Sequence, residues 1–172
     1  EGDLCLANGQ LYVAVNLGKF NQPDNQADSW VIQYDPQDLK EIRRIPTPEL
    51  VYGAGGIAYH NGKFMVVGGL PVGHTDNTIY EYDAQFKFKK AHLIQSGYTQ
   101  MGIQTIAFVN NSWWLGCYGK TPETLQYNPN WTLKARYKMD TSLGIDTAKK
   151  GYLLVGSNVK LGVRGYTGFV QI

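Results

Sequence analysis

The chain has 172 residues, 43% of them hydrophobic, and its 16 basic and 14 acidic side chains leave a net charge of +2. A balance so near zero excludes a surface dedicated to nucleic acid. No apolar run approaches the roughly 20 residues that a membrane-spanning helix needs, so neither a nucleic acid nor a membrane is an expected partner.

In chain order, a short apolar run, Leu4-Cys5-Leu6, stops at Asn8-Gly9, and Leu11 to Val15 follows. An Asn-Gly pair between two apolar runs marks a tight hairpin, because both central residues tolerate positive φ. The same arrangement returns at Asn61-Gly62 before Phe64 to Val67, at Asn110-Asn111 before Trp113-Trp114-Leu115, and at Lys149-Lys150-Gly151 before Tyr152 to Val155. A third strand with its turn also recurs: Ile32-Gln33-Tyr34-Asp35-Pro36, Tyr80-Glu81-Tyr82-Asp83-Ala84 and Leu125-Gln126-Tyr127-Asn128-Pro129. Tyr34 and Tyr82 are 48 residues apart, Tyr82 and Tyr127 are 45 apart, and 45 more residues end on Ile172. Basic residues gather on the fourth strands: Lys40, Arg43 and Arg44, then Lys87, Lys89 and Lys90, then Lys134, Arg136 and Lys138. Charges on an exposed edge strand block sheet-to-sheet pairing.

Four antiparallel strands repeating every 40–50 residues are the signature of a β-propeller blade. The expected fold is therefore all-β. It is a single propeller domain with blades at about 3–50, 51–99, 100–141 and 142–172, the last one three-stranded. Bulky Tyr59 and Phe108 on inner strands favour an arc of a larger propeller over a closed four-bladed ring. An arc leaves apolar blade faces for a second copy or for missing blades to cover. The chain opens on its first strand, as one does when a leader or earlier domain has been removed; an extracellular or periplasmic location is expected.

The chain resembles the NHL, gluconolactonase and glutaminyl-cyclotransferase group of propellers over essentially its whole length, through the Asn-Gly hairpins and the Tyr-Asp-Pro turn. It has no Gly-His…Trp-Asp pair of the WD class and no double glycine at each second strand as in kelch. In gluconolactonase-like members a divalent cation sits on the channel axis, held by carboxylate and amide ligands. The resemblance implies Asp146 and Gln104 for that role, with calcium as the cation.

Loops between second and third strands share one face with the links between blades, and a rigid scaffold beneath makes that face the place for function. Tyr52, His74, Asp76, Tyr98, Gln104, Tyr118, Asp146 and Arg164 fall there. Aromatic walls with a few placed polar groups are the usual design for a small ligand. The expected function is a non-catalytic scaffold binding a small molecule, glycan or peptide on this face. One alternative is a lactonase-like, metal-dependent hydrolase or lyase at the channel mouth, using Asp146 and His74. The other is a structural protein-interaction module. Asp146 occupies the inner-strand position where other blades have Cys5, Ala58 and Ala107, so its carboxylate needs a partner. Asp24 and Asp28 are spaced unlike an EF-hand. Gly116 to Thr121 lacks the first glycine and the helix of a phosphate-binding loop. Cys5 and Cys117 are expected as buried small hydrophobes, not as a disulfide.

Overall fold

In a computed structural model of the chain, which describes residues 2–147, 152–161 and 165–171, four small antiparallel sheets are arranged as the blades of a four-bladed propeller. The first blade is β1 (Leu4–Ala7), β2 (Gln10–Asn16), β3 (Ser29–Tyr34) and β4 (Glu41–Pro46). The second is β5 (Ala54–His60), β6 (Lys63–Gly68), β7 (Asn77–Asp83) and β8 (Phe88–Ile94). The third is β9 (Ile103–Val109), β10 (Ser112–Cys117), β11 (Glu123–Tyr127) and β12 (Leu133–Tyr137). The fourth is β13 (Ile145–Thr147), β14 (Leu153–Leu161) and β15 (Gly165–Gln171). Each sheet runs in simple sequence order from the channel outward.

The hairpins form where the sequence asks for them. Asn8 and Gly9, Asn61 and Gly62, and Asn110 and Asn111 all have positive φ, from 48° to 75°, as a primed two-residue turn requires. The corresponding turn at Lys149 to Gly151 lies outside the described residues. The Tyr-Asp turns share one device. Asp35 Oδ1 accepts from Gln37 N, Asp83 Oδ1 from Gln85 N and Lys87 N, and Asn128 Oδ1 from Asn130 N and Thr132 N. A short carboxylate or amide closes its own turn in this way. In all three blades a register shift falls just before the tyrosine, at Gln33/Tyr34, Glu81/Tyr82 and Gln126/Tyr127. One expectation needs correction. The second and third strands of the fourth blade are not joined by a long loop there: Ser157 to Leu161 continue β14 and pair with β15 from Ser157↔Phe169 to Leu161↔Gly165.

Cores lie between blades, as in any stacked repeat. Tyr12, Ala14, Val31, Ile57, Phe64 and Val66 are among those that join the first blade to the second. Met65, Ile79, Ile103, Trp113, Leu115 and Leu125 belong to the core joining the second to the third. Ala107, Val109 and Ile145, with Trp114 and Leu153 against them, join the third to the fourth. Between the fourth and first blades lies a hollow of about 380 Å³ lined by Leu4, Ile145, Leu154 and Val170 among others. Leu4 and Val170 are exposed there. Tyr59 and Phe108 border the channel and pack on their own blades, leaving a hollow between them. Tyr59 tilts onto Phe64 at 4.7 Å, and Phe108 packs against Trp113, also at 4.7 Å.

Several fourth-strand cations are spent on neighbours. Lys40 pairs with Asp38, Arg44 with Glu41, Lys89 with Asp83 and Arg136 with Glu123. Exposed pairs of this kind add little stability; here they neutralise the rim. Both cysteines are free thiols, Cys117 buried and Cys5 half-buried in the channel. Burial pushes the Cys117 thiol up to about 12 and raises Cys5 further still.

Tyr127 is fully buried, and its hydroxyl has no hydrogen-bond partner among the described residues. Such a group costs its desolvation. Tyr127→Phe is expected to leave thermal stability unchanged or raise it by up to about 1 kcal/mol. A melting curve checks this; a loss of more than that amount means that the hydroxyl is satisfied.

Candidate functional site

Four inner strands meet around a channel. Cys5, Ala58, Ala107 and Asp146 all line its central hollow of about 130 Å³, so Asp146 occupies the position equivalent to the three small residues. Asp146 Oδ1 accepts from the neighbouring Thr147 N at 2.7 Å.

The residue that organises the channel mouth is Asp3, which stands outside every repeated motif. Its N–H donates to Gly55 O at 2.9 Å, and its carbonyl accepts from Ala14 N at 3.1 Å. Its carboxyl Oδ1 accepts from Leu4 N at 2.9 Å and Oδ2 from Ile106 N at 3.2 Å. One residue therefore ties the first blade to the second through its backbone N–H and to the third through its carboxyl. Burial raises the Asp3 carboxyl to about 7; the like charge of Asp146 adds to this, and the bonds from Ile106 and Leu4 oppose it. Two glycines make the clamp possible. A Cβ on Gly55 would stand 2.7 Å from Ile103 O, and one on Gly56 2.8 Å from Gln104 O. Only bare backbone lets β5 and β9 come so close.

Beside Asp3 the mouth opens into a hollow of about 240 Å³, lined by Gly55, Gln104, Thr105, Tyr118, Ser142 and Leu143. Gln104 Nε2 is fixed by Met101 O at 2.7 Å, and Thr105 Oγ1 donates to Thr141 O at 2.7 Å. Ser142 Oγ donates to Asp140 Oδ1 at 2.6 Å. Tyr118 is 51% exposed over the opening. Gln104 also borders a neighbouring hollow of about 280 Å³ with Asn16, Phe20 and Met101.

Of the residues expected to form a site, Gln104 and Tyr118 share this hollow, and Asp146 lies in the adjoining channel. The others are not drawn in. Tyr52 and His74 pair with each other, OH to Nε2 at 3.4 Å, with ring centroids 5.1 Å apart. Asp76 accepts from Gly97 N at 3.2 Å and from Thr75 Oγ1 at 3.3 Å, so His74 and Asp76 have separate partners. Tyr98 is exposed, and Arg164 lies outside the described residues. Asp24 accepts from Gln26 Nε2 and Asp28 from Trp30 Nε1, each from a residue two positions along the chain. Among the described residues no three His, Cys, Asp or Glu side chains come together as a metal site would require.

The titration of Asp3 has a measurable consequence. Its folded value lies above the 3.8 expected of an unfolded carboxyl, so the folded state holds this proton more tightly. Stability from this group is full below about pH 4 and is lost as pH rises towards 7. Between pH 5 and pH 8 the wild type should lose melting temperature through a component that Asp3→Asn lacks. Melting curves of both proteins across that range check this; parallel pH profiles would show that Asp3 does not titrate there.

No protein-family model matches the chain, and no curated protein matches it. Among solved structures it is similar to a protein of unknown function from Bacteroides caccae, solved at 1.35 Å resolution. The two share 13% identity with a TM-score of 0.55, over 91% of this chain and 53% of that one. The chain thus spans about half the length of that protein. At such identity the likeness carries the fold alone.

Proposed function

We propose that the chain is a non-catalytic propeller module that binds a small polar molecule, a glycan or a peptide at the channel mouth of its loop face. The observation that carries this reading is the 240 Å³ hollow, where a carboxyl, an amide, two hydroxyls and an exposed phenol converge on one opening. A concave site with a few placed polar groups over a rigid frame is built for recognition. Its hydroxyls donate to a backbone carbonyl and a carboxylate, and none is paired with a histidine as an activated nucleophile requires. The finer kinship with NHL, gluconolactonase and glutaminyl-cyclotransferase propellers, resting on the hairpins and the Tyr-Asp-Pro turn, belongs to the same reading.

Thermal-shift screening against saccharides, short peptides and small organic acids should yield stabilising compounds. Affinity for them should fall at least about tenfold, or about 1.4 kcal/mol, in Tyr118→Ala and in Gln104→Ala, and stay unchanged in Tyr98→Ala. Compounds that bind the Tyr118 and Gln104 variants as well as the wild type would move the site elsewhere.

One observation favours a second reading, that of a hydrolase or lyase. Asp3, held near 7 beside Asp146, has the value of a general acid working at neutral pH. Turnover of a lactone or ester, lost in Asp146→Asn, would replace the first reading with this one.

A further inference from the structure

On the face opposite the loops, a cleft of about 420 Å³ lies between the second and third blades, bounded by the β5–β6 hairpin and the β11–β12 turn. It shares no lining residue with the hollow at the channel mouth, so a site here is independent of the function proposed for that mouth.

One side of the cleft is aromatic. Trp131 stacks on buried Trp113 with centroids 5.0 Å apart, Phe108 meets Trp113 edge-on at 4.7 Å, and His60 lies on Phe108 at 3.6 Å. Trp131, Phe108 and His60 are only partly buried, so ring surface remains at the opening. The other side is ionic and built on Glu81, whose side chain is 6% exposed. Lys63 Nζ reaches Glu81 Oε1 at 2.8 Å, and His92 Nε2 reaches Oε2 at 2.7 Å. Burial works against ionisation of Glu81, but its bonds to Lys63 and His92 and the charge of Lys90 outweigh it, holding the carboxyl below its usual value. The carboxylate is therefore satisfied by two partners. Lys90 Nζ stands 3.9 Å away, within ion-pair range but beyond hydrogen-bond distance. Its N–H donors are not spent on Glu81.

We propose that this cleft is a second binding site, for a pyranose sugar that carries a carboxylate. Three surfaces of such a ligand match three of the cleft. A pyranose has a flat C–H face, which suits the partly exposed ring of Trp131, since aromatic side chains offer a large apolar surface. Its hydroxyl rim meets the side-chain amides of Asn61 and Asn130 at the opening. Its single negative charge is answered by Lys90. A phosphate dianion would draw Lys63 away from Glu81 as well, and stripping a buried carboxylate of its partner is costly. A neutral sugar would make no use of Lys90.

Calorimetric titration with trigalacturonate tests this, with galactotriose and adenosine monophosphate as comparisons. Trigalacturonate should bind saturably, more weakly as salt rises, and at least about tenfold more tightly than galactotriose. Lys90→Gln, at an exposed position, should melt as the wild type does and lose that preference for acid. Trp131→Ala should lose binding of both sugars. The proposal is overturned by no saturable heat up to about 10 mM trigalacturonate, a Kd too weak to matter, by equal affinity for both sugars, by nucleotide binding in preference to the uronate, or by an unchanged Lys90→Gln.

Discussion

Phe64→Ala is expected to destabilise the protein by about 4 kcal/mol, the mid-range for deleting a buried phenylalanine, and to lower its melting temperature by roughly 10 °C in a domain of this size. Phe64 is fully buried in the core between the first and second blades. Its ring meets Phe86 at 4.4 Å, Tyr12 at 4.6 Å and Tyr59 at 4.7 Å. Three aromatic neighbours from two blades cannot collapse into the space left, because each is held by its own strand or turn. The cost therefore includes the cavity as well as the lost transfer energy. Denaturant unfolding measures it. A loss below about 1.5 kcal/mol, the size of a tolerated core swap, would mean that the two blades do not share this core.

Gly102→Ala is expected to be of similar severity, costing at least about 3 kcal/mol or preventing folding, as backbone clashes and strained φ do. Gly102 has φ of +77°, and a Cβ there would lie 2.0 Å from Gly68 O. Gly68 is locked in turn, because its own Cβ would lie 1.9 Å from Gly53 O. These glycines interlock the links into the second and third blades and place Met101 and Gln104 at the channel mouth. Gly62→Ala is the control. Gly62 has a similar φ of +75° but nothing within 4 Å of its would-be Cβ, so it should cost only the conformational term of about 1–2 kcal/mol. Equal effects for the two substitutions would mean that the close backbone approach at Gly102 carries no cost of its own.

The repeat was legible because its signals are local. Asn61-Gly62 and Asp83 act on their own turns, and the positive φ values and the Asx hydrogen bonds are satisfied within a few residues. Gln104 and Tyr118 could be placed near a shared opening because strand order alone puts loops and links on one face. Asp3 could not. It acts through Gly55 and Ile106, about 50 and 100 residues further along the chain, and no spacing in the sequence announces such a clamp. The cleft of Glu81, His60 and Trp131 was hidden for the same reason, since its walls come from two blades. The glycines carried a signal that went unread. Gly68, Gly116 and Gly156 recur in the second strands of successive blades, and a Cβ on Gly116 would stand 2.5 Å from Thr141 O. A single repeating glycine there reports close approach of the incoming link, not the double-glycine pattern of kelch.

Amide chemical-shift mapping tests binding at the channel mouth most directly, using whichever saccharide or peptide stabilises the protein most. A ligand seated there predicts that Thr105, Tyr118 and Ser142 shift together and saturate with one dissociation constant, while Tyr98 and Leu93 stay still. Saturable shifts that leave Thr105, Tyr118 and Ser142 in place would contradict it.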